Sequence, residues 1–572
     1  MRPRTIAALE VPEQSTCSGV VFGAWVVAAE ALEEIIRGIS PNRLRLYWDN
    51  GVDAAARNTG RFAQFVRSNQ LAQVRFELLR SLRRGGKGPR IDHWHDFTGD
   101  LRPFAFRRAL GESGRFPISI CHHTFSYQSQ LHGFFLRLLL EDVRPYDALI
   151  CASTAARDGI RAILATVADS LRKRLGAEIS FKGRLDVLPF GVRTELFRPR
   201  SKAAARDRLG LPRDAFVILW VGRISERDKA DLLPLLRVFR RLIERNKRKD
   251  LLLVLSGSEL NAGAQSAELR DYAQVLGIAD RMKILSSIPP PSRHRVFAIA
   301  DVFVSPVDNV QETFGLTPLE AMASGIPQVV ADWNGYRDTV RHGATGFLVP
   351  TRWIKCDERI ERFGAAFDHE LIDHLCLAQT VAIDLDRLEE YLQLLLDHPA
   401  LRARMSKASR QRAVAEYDWS VIVRRLQDLW QDQEKERRAF QQRHREQPTS
   451  HYTAPKFFHH FQHYGTEVLS GKEALTLTDE YDRVSYEGEP LPYYFGKHWG
   501  FDASIYGSIT RFLERAINNR KPITIGDVVS RLGRRFEPEA VLCHVMWLLK
   551  YGYVRATTLQ THRGRAAHRG RA

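Results

Sequence analysis

Two series of short apolar runs separated by amphipathic stretches constrain this chain more than any other feature. The first series contains LRLYWDN (Leu44–Asn50), FPISICHH (Phe116–His123) and YDALICAS (Tyr146–Ser153). The helical pattern FGAWVVAAEALEEIIRGI (Phe22–Ile39) lies between strand candidates. A second series begins after Pro199: AFVILWVGR (Ala215–Arg223), DLLLVLSG (Asp250–Gly257), RMKILSS (Arg281–Ser287), ADVFVSP (Ala300–Pro306) and IPQVVAD (Ile326–Asp332). Strand candidates alternating with helical stretches predict parallel sheets covered on both faces. The expected fold class is α/β, with two Rossmann-like, doubly wound domains in tandem facing a cleft. Ligands in such sheets bind beyond the carboxyl ends of the strands, so both domains should aim their loops at that cleft.

The 572 residues leave room for about three or four domains. After Tyr417 the chain reads as helical, DWSVIVRRLQDLWQDQEKERRAFQQRHREQ, and its nearly all charged or amide second half predicts an exposed helix end running into a linker near Gln447–Ser450. The expected organisation is an N-terminal Rossmann-like acceptor domain (1–200), a second Rossmann-like donor domain (201–415), a crossing helix with charged linker (416–450), and a small, mainly helical, winged-helix-like module with a basic tail (451–572). In that last part, SIYGSITRFLERAINN, KPITIGDVVSRLGRRF and EPEAVLCHVMWLLKYGYVRA give three helical patterns and a short strand. No repeat recurs at a fixed period.

The net charge of +18 favours anionic partners: phosphorylated small molecules, an acidic lipid surface or nucleic acid. The six cysteines, Cys17, Cys121, Cys151, Cys356, Cys376 and Cys543, include no C-x-x-C pair, so a zinc site or redox pair is not expected. Scattered reduced thiols fit a cytoplasmic protein. The N-terminal MRPRTIAALEVPEQ lacks a sustained apolar run, so no signal peptide is expected, and no stretch is long and apolar enough for a membrane span. The charge also admits contact with the inner membrane surface.

The segment ETFGLTPLEAMASGIPQVV (Glu312–Val330) holds two glutamates separated by seven residues. Glu320 falls in a helical pattern that opens near Pro318 and ends at Gly325, followed by Pro327. Glu312 precedes that helix, in the loop after the strand ADVFVSP. One loop carboxylate and one helix carboxylate thus gather near a strand's carboxyl end. Gly315 lets backbone approach a ligand, and the N–H groups of Phe314, Gly315 and Leu316 can face an anion or hydroxyls at the helix start. A carboxylate can accept hydrogen bonds from two sugar hydroxyls. Arg223 and Lys229 follow the strand AFVILWVG, which ends at Gly222. Two cations there suit the charge that builds on a departing diphosphate: the arginine makes bidentate contacts and the lysine acts as a point charge.

Five segments carry a family resemblance. They are Glu312-x-Phe314-Gly315-x4-Glu320 with Ala321, Ala323, Gly325 and Pro327; DWNGYRDTVRHGATGFLVP (Asp332–Pro350); VLPFGVRTELFRPR (Val187–Arg200); VGRISERDKADLLPLLRVF (Val221–Phe239); and YDWSVIVRRLQDLW (Tyr417–Trp430). In their order along the chain, from Val187 to Trp430, they resemble retaining glycosyltransferases of family 4, with the GT-B fold and the E-x7-E motif. The resemblance implies transfer of a sugar from a nucleotide-sugar donor, a UDP- or GDP-sugar, with retained configuration. It implies that Glu320 binds the donor ribose and that Glu312 holds the donor sugar and stabilises its developing positive charge. Phe314, Gly315 and Leu316 would offer backbone N–H groups. Arg223 and Lys229 would act on the diphosphate in place of a metal, so no obligatory cofactor or metal is expected. Asp384-Leu-Asp386 has the spelling of a metal-binding Asp-x-Asp but reads as a solvated helix start.

The first domain matches this family less closely. FPISICHHTFSY resembles the strand that ends in a histidine near the reacting sugar; His123 fits best and His122 is the alternative by one place. His95, in DHWHDF, ends another strand candidate and is expected on the acceptor side. The phosphate loop is expected in CSGVVFGAW, with Gly19 and Gly23 as its glycines. For the C-terminal module three roles stay open: packing or dimerisation, protein or peptide binding, and nucleic-acid binding. His459, His460 and His463 lack an H-E-x-x-H partner, so zinc is not expected and an aromatic packing patch is. The rival readings are another GT-B nucleotide-sugar enzyme, such as an epimerase or phosphorylase, and a regulatory nucleic-acid- or protein-binding protein with a non-catalytic GT-B body. The acceptor is not legible.

Overall fold

The computed structural model describes residues 7–10, 23–39, 44–48, 75–78, 91–96, 104–109, 115–122, 125–127, 133–227, 229–246, 250–259, 263–286, 292–355, 370–444, 457–491, 502–518 and 522–557. The chain forms two compact units, Met1–Tyr452 and Thr453–Ala572. The first unit contains two parallel sheets. Strands β1 (Ala7–Glu10), β2 (Leu44–Trp48), β3 (Arg75–Leu78), β4 (Trp94–Asp96), β5 (Ile118–Cys121), β6 (Ala148–Cys151) and β7 (Arg184–Val187) run in the order β3-β2-β1-β4-β5-β6-β7. Strands β8 (Phe216–Val221), β9 (Leu251–Ser256), β10 (Met282–Leu285), β11 (Val302–Ser305), β12 (Gln328–Ala331) and β13 (Gly346–Val349) run in the order β10-β9-β8-β11-β12-β13. All pairings in both sheets are parallel. The expected α/β class with two doubly wound domains is therefore observed.

The reason lies in the runs themselves. All six residues of β8, FVILWV, are buried, as are all four of β11 and of β12. A strand apolar on both faces must be covered on both faces, and the second sheet has a separate core on each side. One core packs Phe303, Leu319 and Met322; the other packs Ile218, Phe239 and Leu395. Strand order reverses between β8 and β11, which puts a topological switch point at their carboxyl ends.

The helix Trp419–Arg443 packs on the first sheet. Its buried residues Trp419, Ile422, Val423, Leu426, Trp430 and Gln433 recur at helical spacing, and several join Leu32, Ile36 and Ile150 in one cluster. Gln433 Nε2 donates to the carbonyls of Ile118 (3.1 Å) and Tyr146 (2.8 Å), tying the helix to the first domain. At the connection between domains, Val192 N donates to Tyr417 O (2.8 Å). Arg410 Nη1 donates to the carbonyls of Thr194, Phe197 and Ala323. A small antiparallel pair, β14 (Thr351–Arg352) with β15 (Ala382–Ile383), follows β13.

The second unit has a three-stranded antiparallel sheet, β16 (Ala474–Leu477), β17 (Ile523–Thr524) and β18 (Val554–Thr557), in the order β17-β16-β18. Helices Ala503–Asn518, Ile525–Leu532 and Pro538–Lys550 close its core around Ile509, Val528 and Val545. Thr524 caps the second of them in a reciprocal capping box with Asp527. The aromatic patch expected around His459 lies at the surface: Phe458, Phe461 and Tyr464 are exposed, with the Tyr464 ring against those of Phe461 (5.3 Å between centroids) and His463 (4.7 Å). The short helix Phe457–Phe461 gives way to a 3-10 turn at Gln462, so no face long enough to bury them forms. Among the described residues no helix is long and apolar enough to cross a membrane, and no His/Cys/Asp/Glu group has the composition of a metal centre.

Candidate donor site at the switch point

Glu312 and Glu320 take the positions expected of them, one on a loop and one on a helix. β11 ends at Ser305, the loop runs through Asn309 to Glu312, and the helix Leu316–Ala323 begins after Gly315. Gly315 caps that helix at φ +98°, and a Cβ there would lie 2.2 Å from the Tyr336 ring. Both facts exclude a side chain at this position. The loop is braced from several directions. Asn309 Nδ2 donates to Arg227 O (2.6 Å), Gln311 N donates to Asn309 Oδ1 (2.8 Å), and Trp333 Nε1 donates to Asn309 O (2.9 Å). From the first domain, Ser153 Oγ donates to Thr313 O (2.7 Å) while also capping its own helix.

Arg223 and Lys229 leave the neighbouring strand β8. Gly222 N donates to Ser256 O (3.0 Å), which pins the start of the loop to β9. Arg223 is buried, and Lys229 Nζ lies 3.5 Å from Glu312 Oε2. The structure thus brings the lysine of one loop to the carboxylate of the other across the switch point. Phe314 differs from expectation in one respect: its N–H donates to Glu312 Oε1 (3.3 Å), so the acidic side chain two residues back already takes that donor. Its ring is buried edge-on against Phe190.

Glu320 is buried and its Oε1 is paired with the Arg293 guanidinium, while its Oε2 has no hydrogen-bond partner among the described residues. Burial pushes its carboxyl up to about 7 despite Arg293. A narrow recess adjoins it, lined by Glu30, Arg293, Leu316 and Glu320 among others. Glu30, on the first-domain helix Gly23–Gly38, is likewise raised by burial in spite of Arg193 and Arg293. Below the Glu312 loop, Asp308 is buried with Asp231 nearby, and the two effects push it up to about 8. Tyr336 Oη and Ser305 Oγ are 2.9 Å apart, and burial together with the Glu312 charge raises the phenol.

Arg293, Tyr336, Asn309 and Asp308 were not singled out from sequence. Tyr336 sits in the quoted DWNGYRDTV segment, where Gly-Tyr after a strand was an available signal. Arg293, one of three basic residues in RHR, carried none.

In the first domain, His123 and Gly19 lie outside the described residues. His122 is buried and stacks on Phe134 at 4.2 Å between ring centroids. Gly23 is the first residue of its helix. The expectation for His95 is overturned. It is fully buried, its Nδ1 is 2.6 Å from Ser119 Oγ, and its ring lies 5.4 Å from that of Trp430. The crossing helix covers it, so it serves the core and not an open acceptor face. Asp384 caps the helix Leu385–Asp397 by accepting from Arg387 N (3.1 Å), as its reading as a helix start requires.

Comparison with known proteins agrees with this fold. Residues 201–364 match the family model of glycosyl transferases group 1. A D-inositol 3-phosphate glycosyltransferase of Thermobispora bispora is 41% identical over 177 residues, 30% of this chain and 40% of that protein. One of Streptomyces avermitilis is 31% identical over 302 residues, 52% and 55% respectively. The chain therefore spans about half or less of the length of these relatives. The solved structure of HepE from Anabaena, in complex with UDP, superposes with a TM-score of 0.51 at 15% identity, covering 75% of this chain and 100% of that one. The protein has the GT-B fold, and its likeness to glycosyl transferases group 1 is carried by residues 201–364.

Proposed function

We propose that the protein is a retaining glycosyltransferase that moves a sugar from a UDP- or GDP-sugar to an acceptor hydroxyl. One observation carries the reading: the loops after β8 and β11, the two strands flanking the switch point, bring Lys229 within 3.5 Å of Glu312. In this reading Arg223 and Lys229 receive the diphosphate and Glu320 receives the ribose. The bond from the anomeric carbon to the diphosphate oxygen breaks. The acceptor oxygen bonds to that carbon on the same face, and its proton passes to the departing phosphate. Two cations stabilise the leaving charge most in the transition state, and the Glu312 carboxylate stabilises the oxocarbenium-like sugar. With those cations in place, no obligatory metal is required. That HepE was solved with UDP, and that the relatives bear the name D-inositol 3-phosphate glycosyltransferase, supports a UDP-sugar first and a phosphorylated polyol among the acceptors to test.

The test is nucleoside diphosphate release from UDP-, GDP- and ADP-sugars by wild type, Glu312→Gln and Lys229→Ala, with and without chelator. Release from one donor, lost in both variants and kept with chelator, is expected. Silence with every donor, together with no thermal shift on donor addition, overturns the reading.

For the C-terminal unit we read a winged-helix-like module that docks a protein or peptide. The exposed side of helix Pro538–Lys550 carries Leu542, Cys543 and Met546, apolar where a helix reading DNA bases carries arginine, asparagine or glutamine. Binding of a labelled duplex with a steep salt slope overturns this.

A further inference from the structure

A histidine from the second domain grips the loop after β5 in the first. β13 runs into β14, and the chain returns through β15, which pairs antiparallel with β14. The segment between these two strands carries the helix Glu370–Ala378. One side chain of that helix crosses the domain boundary. His374 is buried, its ring lies 4.5 Å from that of Tyr127, and its Nε2 is 3.3 Å from Ser126 O. A carbonyl oxygen only accepts, so Nε2 carries the proton and donates.

The gripped loop stands at the carboxyl end of a central strand. β5 ends at Cys121, and His122 follows it directly. Phe125 is buried in the first-domain core, its ring 3.3 Å from where a Cβ on Gly159 would lie. Ser126 Oγ is buried without a hydrogen-bond partner among the described residues, so it is the backbone carbonyl that His374 holds. The neighbouring strand β6 is tied to the second domain as well. Ser153 Oγ donates to Thr313 O (2.7 Å), beside Glu312, and Thr154 N donates to Asp338 Oδ2 (2.6 Å). Adjacent strands of the first sheet therefore each send a loop across the boundary, one to the Glu312 loop and one to His374.

The helix of His374 is itself joined to the Glu312 loop from behind. Leu377 O, on the same helix, accepts from Thr380 Oγ1 (2.7 Å), and Thr380 Oγ1 accepts from Trp353 Nε1 (2.8 Å). The Trp353 ring lies 5.5 Å from that of Trp333, and Trp333 Nε1 donates to Asn309 O (2.9 Å), three residues before Glu312. Each link is a direct contact, and chains of packed rings and hydrogen bonds of this kind carry coupling between sites. We propose that His374 is a positioning residue: it fixes the loop after β5 against the second domain, so that the first-domain groups at the reacting sugar and the Glu312 loop are held in one geometry. This rests on the glycosyltransferase reading, and the experiment separates the two. The donor contacts of that reading lie on other elements: Arg223 and Lys229 after β8, and Glu320 on the helix Leu316–Ala323. Loss of His374 should therefore act on turnover, where small misplacements are costly, and spare nucleotide binding.

The protein is labelled with 3-fluorotyrosine, and the Tyr127 resonance is assigned by its absence from Tyr127→Phe. His374→Ala should move that resonance with no ligand present. In nucleotide release from the turned-over donor, His374→Ala should lower kcat at least tenfold, while the Kd of that donor's nucleoside diphosphate stays within threefold of wild type. His374→Gln, whose amide nitrogen takes the place of the imidazole donor, should restore most of kcat. Trp353→Ala should lower kcat too, and the double variant with His374→Ala should lose little more than the larger single loss. A Tyr127 resonance that His374→Ala leaves in place overturns the contact. A kcat within threefold of wild type, or kcat and nucleotide affinity falling together, overturns the positioning role, and losses that multiply in the double variant overturn the link to the Glu312 loop. Absence of nucleotide release from every donor in wild type would overturn the glycosyltransferase reading alone, leaving the fluorine spectrum to decide whether His374 holds the loop after β5.

Discussion

The guanidinium of Arg293 rests on the carboxylate of Glu320, the group to which the proposed function gives the donor ribose. Burial nevertheless holds that carboxyl up near 7. Ribose hydroxyls donate best to an ionised carboxylate, so donor affinity should rise with pH through about 7 and level off above it. One unit below, affinity should fall up to about tenfold. Folding stability runs the other way. A raised carboxyl pKa favours the protonated native state, a contribution complete below the ordinary value of 4.5 and lost as pH climbs to about 7. Isothermal titration of the donor across pH 5.5–8.5 checks this, with Glu320→Gln expected to flatten the profile. Arg293→Gln removes the lowering charge and should move the inflection above 7.

Lys229 and Glu312 are partly exposed, so their pairing contributes little to stability, about 0–1 kcal/mol. Their value to turnover should be far larger, because both groups meet charge that grows toward the transition state. Lys229→Ala and Glu312→Gln should each lower nucleotide release by about 10²–10³-fold while shifting the melting temperature little. The double variant should lose much less than the product of the two, since the groups act on one departing bond. Additive losses would place them in separate steps.

The fold was legible because the strands are apolar on both faces; FVILWV and VFVS admit no half-exposed placement. The donor side was legible for a related reason: its residues cluster in sequence directly after strand ends, as Arg223 does after β8 and Glu312 after β11. What escaped notice acts across the chain. Arg293 reaches Glu320 from 27 positions away, and Asp308 is pushed up by burial and, after that, by a carboxylate, Asp231, in the other loop. His95 shows the converse error. A histidine at a strand end resembles a site residue until the crossing helix, more than 300 positions later in the chain, lays Trp430 over it. Spacing along one strand carries no record of what covers it.

Gly335 offers a test of the contact between the two site loops. A Cβ at this position would meet Phe314 Cα at 2.5 Å and Thr313 O at 2.7 Å, backbone atoms that cannot rotate away. Gly335→Ala must therefore push the Trp333 segment off the Glu312 loop. The expected result is about 1–3 kcal/mol of destabilisation, measured by urea denaturation, with a steeper loss of nucleotide release than of stability. As a control, Gly343→Ala has open space around its Cβ, though its φ of 74° strains any side chain. It should cost stability without selective loss of activity.

Asp308 closes the set because its replacement should help the protein. It is buried beside Asp231, and both the burial and that second carboxylate push it up to about 8 from an ordinary 3.8. Its protonated form is therefore the one that suits the fold. The resulting stabilisation is complete below about 3.8 and drains away as pH rises through about 8, because the unfolded chain releases this proton far earlier than the native one. Asp308→Asn keeps the shape and retains an oxygen to accept from Asp231 N, which lies 3.4 Å from Oδ1. It carries no proton to lose. Its stability curve should lie close to wild type near pH 4.5 and above it by about 1–3 kcal/mol at pH 8, a fraction of the several kcal/mol that a four-unit shift bounds. Thermal unfolding of the two proteins at both pH values measures the difference. Equal curves at pH 8 would show that Asp308 ionises at its ordinary value and that the carboxylate pair beneath the Glu312 loop is open to water.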